Sequence, residues 1–345
     1  MTQHAPILLE VPNSLAGLRL DQVLSRLLPD YSRSRLQGWV KEGLVQVDGQ
    51  PASNKQKVYG GERLTVMPQE DPETTAFKAE AIDLDVVYED EHIIVINKPA
   101  GMVVHPAAGN WEGTLLNALL HHCPALKEVP RAGIVHRLDK DTSGLLVVAK
   151  TIAAQTSLVR QLQARTVKRE YRAIVWGQVW RNGTVDTMIG RHPTARTKMA
   201  VVRVGGKPAV THYEVLERFA VHTYLRCRLE TGRTHQIRVH MQHLGAPMVG
   251  DPVYGLRGIV PNQMMTPTLK AALKAFKRQA LHAVKLGLLH PATGEYMEWQ
   301  AELPDDMKAL LEAMRFEEVP EEEDFELAYD EDFDDAYDED FEDEE

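Results

Sequence analysis

His136-Arg137-Leu138-Asp139-Lys140-Asp141-Thr142-Ser143-Gly144 runs straight into Leu145-Leu146-Val147-Val148-Ala149. The second half is a short, unbroken apolar run, the pattern of a strand buried on both faces. The first half is a charged loop delivered to the end of that strand. Gly144 permits a sharp turn there, and Thr142 or Ser143 can bond the local backbone. Functional side chains often sit on loops held by such a strand. On composition alone, an ordinary charged surface loop with an Arg–Asp pair is the simpler account.

Outward from this strand, the flanking sequence alternates between strand and helix patterns. Leu84–Tyr88 and His92–Asn97 read as strands about an acidic turn, Trp111–His122 as a helix, Ala153–Ala164 as a second helix and Tyr171–Val179 as a strand. Further strands are expected over Met199–Val204, Ala209–Phe219 and Thr223–Glu230. Many strands with few helices between them predict an α+β domain on a mixed, mainly antiparallel sheet. No G-x-G-x-x-G and no P-loop is present, so no nucleotide cofactor is expected.

The N-terminal stretch, about Ile7 to Met67, has a different texture. Leu18, Leu20, Val23, Leu24, Leu27 and Leu28 recur at helical spacing, with Asp21 near the start. Tyr31–Lys41 reads as a second helix capped by Ser32 or Ser34. Gly43–Gly49 alternates like a strand ending in an Asp-Gly turn, and Glu62–Met67 supplies a second strand. These features divide the chain into a small domain over 1–69, a polar linker over 70–81, a large domain over 82–315 and an acidic tail over 316–345 that is expected to be disordered.

Charge is segregated along the chain. The net charge is −11, yet residues 316–345 hold 19 Asp or Glu and no Lys or Arg. The rest carries 39 basic against 31 acidic residues, a mildly basic body suited to phosphate contacts. In the tail, Phe325, Tyr329, Phe333, Tyr337 and Phe341 recur every four residues between acids. A self-repelling passive tail is the plain reading. A tail that imitates RNA in the basic cleft is the sharper one, and its removal should then strengthen non-specific RNA binding at low salt. No apolar run reaches the ~18 residues of a membrane span, and no signal peptide is expected. Two distant cysteines, Cys123 and Cys227, give neither metal-ligand spacing nor a disulfide framework, which fits a reducing cytoplasm.

A second dense stretch is Glu230-Thr231-Gly232-Arg233-Thr234-His235-Gln236-Ile237-Arg238-Val239-His240. Thr234 could cap a helix beginning there. His235, His240 and His243 invite a metal reading, but no carboxylate completes a ligand set nearby and the His240/His243 spacing is not that of a metalloprotease helix. No metal is expected.

H-R-L-D-x-x-T-S-G, a Tyr-containing strand and then G-R-T-H-Q-I-R-V-H, in this order, resemble the RluA family of pseudouridine synthases, whose first motif Ile96-Asn97-Lys98-Pro99 resembles. Arg19-Leu20-Asp21 and Ser32-Arg33-Ser34-Arg35 resemble the S4 RNA-binding module. The resemblance spans roughly residues 10–310 and leaves the acidic tail outside. It implies a pseudouridine synthase fold behind an S4-like domain, and Asp139 as the carboxylate that attacks the sugar C1′ or the uracil ring. It implies that Arg238 ion-pairs with Asp139, that Tyr171 stacks on the target base, and that Arg137 fills the gap left by the flipped nucleotide. His136, Arg233, His235 and Gln236 are expected on the substrate side of the site, and Arg33, Arg35 and Lys41 on one phosphate-facing helix face of the S4-like unit.

The residue types suit that chemistry. Isomerisation needs neither oxidant nor energy source, and a carboxylate can serve as a covalent nucleophile. Either role needs it ionised, which a neighbouring guanidinium favours. A stacked base must be extruded to be reached, and an aromatic ring offsets part of that cost. The implied substrate is 23S ribosomal RNA, at its helix 69 stem-loop, free or in an assembling large ribosomal subunit, acted on by a monomer. Alternatives are another rRNA or tRNA site, a non-catalytic RNA-binding or ribosome-assembly factor, and a metal-dependent hydrolase.

Overall fold

The computed structural model describes residues 6–68, 77–107, 109–256 and 265–316. The chain divides into two compact units, Met1–Thr75 and Ala76–Glu345. Most of the polar linker and nearly all of the acidic tail expected from the sequence lie outside the described residues.

In the N-terminal unit, strand β1 (Ile7–Glu10) precedes helices α1 (Leu20–Leu27) and α2 (Arg33–Lys41). Strands β2 (Val45–Val47), β3 (Gln50–Pro51) and β4 (Arg63–Val66) follow. Ser32 caps α2 by accepting from the Arg35 amide at 3.4 Å. Asp48 and Gly49 both take positive φ, 50° and 75°, the backbone a tight two-residue hairpin requires. The hairpin expected from the sequence is half of a four-stranded sheet ordered β1-β4-β2-β3. Leu20, Leu24, Leu36, Val45 and Leu64 are fully buried between helices and sheet. Each such side chain contributes ~1.5–3 kcal/mol of apolar burial, which a unit this small needs.

The C-terminal unit is built on a ten-stranded sheet. Its strands are β5 (Val86–Glu89), β6 (Ile93–Lys98), β7 (Ser143–Ala149), β8 (Lys168–Trp176), β9 (Gly183–Arg191), β10 (Met199–Val201), β11 (Lys207–Arg218), β12 (His222–Leu229), β13 (Leu281–Leu289) and β14 (Tyr296–Gln300). They run in the order β10-β9-β11-β12-β8-β13-β7-β6-β5, with β14 on β13. Among the described residues only β7 and β13 pair in parallel, through His282↔Ser143 and Ala283↔Gly144. The helices are α3 (Leu115–His122), α4 (Ile152–Gln163), α5 (Gln236–His243), α6 (Pro267–Ala275) and α7 (Asp305–Arg315). Helix and strand together in one mixed, mainly antiparallel sheet is the expected α+β class.

Strand β7 is buried at all seven positions because both its faces are covered. Leu146 and Val148 join a core with Leu115, Leu116 and Leu119 of α3, while Leu145 and Val147 join another with Ala154 and Leu158 of α4. Period-2 alternation thus places one apolar run in two cores at once. The same packing clamps the strand whose leading loop carries Asp139.

Candidate active site

Gly144 sets the entry to β7. Its φ is +112°, and a Cβ there would lie 2.2 Å from the Ala283 carbonyl oxygen of β13. Glycine is required on both counts. The preceding loop is tied from several sides. The Thr142 amide donates to the Asp139 carbonyl at 3.1 Å, closing a turn, and Gln279 Nε2 donates to Thr142 Oγ1 at 3.1 Å. Lys98, fully buried at the end of β6, donates from Nζ to the carbonyls of Pro99, Met102 and Lys140 at 2.7, 2.9 and 2.9 Å. An ammonium has three N–H donors, so the three carbonyls match it in full. Burial pushes Lys98 down to about 7, against the raising charges of Asp141 and Asp139.

Arg238 reaches this loop from α5, 99 residues away in sequence, and Nη1 donates to Asp139 Oδ2 at 2.9 Å. Its other edge is held by Asp251, Nε to Oδ2 at 2.7 Å and Nη2 to Oδ1 at 2.8 Å. Asp251 also accepts from the amides of Val253 and Tyr254. Burial alone would lower the Arg238 pKa, but the Asp251 hydrogen bonds and the charges of Asp251 and Asp139 push it up. For Asp251, burial alone would raise the carboxyl, and the Arg238 pairing holds it below its ordinary value. The guanidinium is thus a fixed cation shared by two carboxylates, and the Tyr254 ring lies beneath it at 5.0 Å. Among the described residues no hydrogen bond is donated to Asp139 Oδ1; the nearest cation-forming group is His235 Nε2 at 3.9 Å.

Tyr171 projects from β8 into the same cavity, which holds about 590 Å³. Burial, helped by the Asp139 charge and opposed by Arg169, raises its phenol, so the ring is a neutral apolar face. Arg137, His136, Arg233, His235 and Gln236 also line the cavity with Asp139 and Arg238. Arg137 is exposed at the rim, with no carboxylate within ion-pair reach among the described residues. His136 accepts from the Val147 amide at 3.1 Å, and burial with the Arg169 charge pushes it down to about 3. Gln236 is a staple: it accepts from Thr231 Oγ1 and the Arg233 amide and donates to the Val210 carbonyl and Thr211 Oγ1.

Helix α5 begins differently from the sequence expectation. Thr234 is not its cap; His235 stands there with φ 56° and ψ 22°, in the left-handed region. Its Nδ1 meets the Tyr254 hydroxyl at 2.9 Å, and that hydroxyl also accepts from the Met199 amide at 2.8 Å. The tautomer in which Tyr254 donates to Nδ1 leaves Nε2–H facing Asp139. Arg131, Arg165 and His235, three of the five non-glycine residues with positive φ among the described residues, line this cavity. Such backbone costs ~1–3 kcal/mol each and concentrates at functional sites. His240, on the same helix, is held between Thr211 and Thr187 hydroxyls, and burial pushes it down to about 4.

In the N-terminal unit the three basic side chains of α2 do not share one face. Residues two apart on a helix diverge by about 200°. Arg33 Nη2 donates to the buried Asp21 carboxylate at 2.7 Å, alongside Arg19 and Gln37. Arg35 lies across the rings of Tyr31 and Trp39 at 5.2 and 5.1 Å. Lys41 is exposed at the end of the helix.

Asp251, Tyr254, Lys98 and Arg169 were not among the sequence candidates for the site. Gly250-Asp251-Pro252 is an unremarkable turn signal until Arg238 is placed against it, and no spacing rule links the two.

Residues 92–243 match the family described as RNA pseudouridylate synthase, and residues 18–64 match the S4 domain. The chain is 58% identical over 307 residues to the ribosomal large subunit pseudouridine synthase D of Nitrosomonas europaea, covering 89% of this chain and 87% of that one. The protein of the same name from Escherichia coli K12 is 53% identical over 328 residues, 94% of this chain and all of that one. Among solved structures, human RNA pseudouridylate synthase domain containing 1 aligns with a TM-score of 0.52 at 26% identity, covering 70% of this chain and 99% of that one.

Proposed function

Because the chain belongs to the RNA pseudouridylate synthase family and carries an S4 domain ahead of its catalytic unit, we propose that it isomerises uridine to pseudouridine in 23S ribosomal RNA, with Asp139 as the catalytic carboxylate. The observation that carries the assignment of Asp139 is its geometry: one carboxylate oxygen anchored by a buried arginine, the other open to a cavity walled by Tyr171. The open oxygen meets the nucleotide, at C1′ or at the ring. In the net reaction the N1–C1′ bond breaks, a C5–C1′ bond forms, C5 loses its proton and N1 gains one, so no redox partner is consumed.

Arg238 holds one oxygen of the carboxylate and, fixed by Asp251, needs no reorganisation as charge moves during the reaction. Tyr171 supplies the stacking surface for the extruded uracil, worth ~1–3 kcal/mol per base. Arg137, at the rim, occupies the space the uridine vacates. Arg233, His235 and His136 face the bound nucleotide, with Gln236 holding their loop in shape. The S4 unit adds affinity for phosphates through Arg33, Arg35 and Lys41, presented from different sides of α2, without reading sequence. The protein works as a single chain in the cytoplasm without a cofactor, and the helix 69 stem-loop is its site on the RNA. No helix among the described residues is long and apolar enough to cross a membrane.

Pseudouridine mapping of 23S rRNA from cells lacking the protein, complemented with wild type or Asp139→Ala, tests this. Loss of pseudouridines in helix 69, restored by wild type alone, is the expected result. Persistence of the modification without the protein overturns the substrate, and restoration by Asp139→Ala overturns the mechanism.

A further inference from the structure

Arg169 stands two residues before Tyr171 on the same face of β8, is only 8% exposed, and lines the active-site cavity. Among the described residues its Nε has no hydrogen-bond partner. Nη2 reaches the Glu230 carbonyl at a long 3.4 Å, and no carboxylate lies in ion-pair range among the described residues. Arg238 pairs with Asp139 and Asp251, Arg165 with Glu230 at 3.0 Å and Arg172 with Glu170 at 2.6 Å, whereas Arg131, Arg137 and Arg233, which line the cavity with no carboxylate in range among the described residues, are not buried. Glu170, the next residue, is paired with Arg172, and the Glu230 carboxylate is taken by Arg165 and His212. The adjacent His136 offers no negative charge. A buried guanidinium cannot discharge itself, and leaving it without an anion is costly.

The site is also shaped for that guanidinium. A Cβ at Gly232 would fall 2.7 Å from Arg169 Nη1, although Gly232 has no positive φ to explain a glycine there. The end of the Arg169 side chain therefore lies directly against the Gly232 backbone. Resting on the reading of the chain as an RNA-modifying enzyme, we propose that Arg169 is a phosphate-binding residue, receiving a non-bridging oxygen of a backbone phosphate next to the flipped uridine. A planar fork of donors matches a phosphate, and the uracil it would otherwise meet enters uncharged. Phosphate completes the ion pair that the free protein lacks, so affinity comes from a charge already desolvated before RNA arrives.

The test uses the full-length protein and a stem-loop oligoribonucleotide carrying the uridine identified by mapping. The RNA is made all-phosphodiester and with single neutral methylphosphonates at positions around that uridine. One methylphosphonate should weaken wild-type binding about tenfold and leave Arg169→Met binding unchanged. Arg169→Met should weaken binding to the unmodified RNA about tenfold and lower the salt slope of binding by about one. Arg169→Lys, which keeps the charge and loses the fork, should fall between. The melting temperature of RNA-free Arg169→Met should equal or exceed that of wild type, since an unpaired buried charge has gone; a purely structural arginine would lower it.

The proposal is overturned if every methylphosphonate costs wild type and variant alike, or if none weakens wild type. It is overturned equally if Arg169→Met leaves binding and salt slope intact but slows turnover at saturating RNA, which would place the guanidinium on the uracil. Pseudouridine formation by wild type in the same RNA is the control: its absence would sink the functional assignment itself, independently of Arg169.

Discussion

Asp139 and Asp251 compete for nothing, because Arg238 presents separate edges to each. Asp139→Asn keeps the shape of the site and removes the nucleophile, so pseudouridine formation should fall below detection while the melting curve stays close to wild type. Asp251 touches no substrate in this arrangement. Asp251→Ala should nonetheless lower kcat by about a hundredfold, since ångström-scale misplacement of a catalytic group costs that much. It should also destabilise the fold by ~3–5 kcal/mol, because a buried charge loses its main partner. Single-turnover kinetics with calorimetric melting checks both; an unchanged kcat would show that Asp139 alone holds Arg238. Asp139, Arg238 and Tyr171 were legible in the sequence through the order of their motifs. Asp251 was not, since its role exists only once α5 and the turn after it are folded together. Arg169 was hidden for a related reason: an arginine beside a glutamate reads as an ordinary strand pair until the burial of one and the distance of the other are known.

At the level of elements, the entry to β7 is the most constrained backbone of the site. Gly144→Ala puts a methyl group into the β13 main chain and forces φ +112° on an alanine. Activity should be lost together with several kcal/mol of stability, and hydrogen exchange should speed up in β7 and β13 first; protection equal to wild type in both strands would refute the argument. The sequence made β6, β7, β8, β11 and β12 readable, because apolar runs and alternation mark them. It left β9 and β13 unread. In β9, Gly183 and Gly190 dilute the pattern, and in β13, Lys285 and Gly287 interrupt an apolar run that period alone cannot tell from a helix. The start of α5 was misread for a physical reason too: a threonine is the commoner cap, but here a left-handed histidine turns the chain so that its ring faces Asp139.

Across the whole molecule, buried histidines tie stability to pH. Burial pushes His222, His240 and His282 each to about 4, from an ordinary 6.5. The unfolded chain therefore takes up these protons at higher pH than the folded one. Their contribution is complete above pH 6.5 and is lost as pH falls toward 4, about 3 kcal/mol for each. The melting temperature should drop steeply across that window. Among the described residues His222 has no partner at either ring nitrogen, and it packs on Trp176 at 4.4 Å between centroids. His222→Phe should make the acid slope shallower, and scanning fluorimetry from pH 4 to 8 would expose an unchanged slope.

The parallel pairing of β7 with β13 joins residues 139 positions apart. Parallel pairs of such separation form late, after the intervening chain has closed on itself. During synthesis, the strand behind Asp139 leaves the ribosome well before its partner, by roughly ten seconds or more at ordinary elongation rates. Throughout that interval the N-terminal S4 unit can already fold and meet RNA. The nascent chain thus presents its S4 unit before the strand that braces the Asp139 loop has been made.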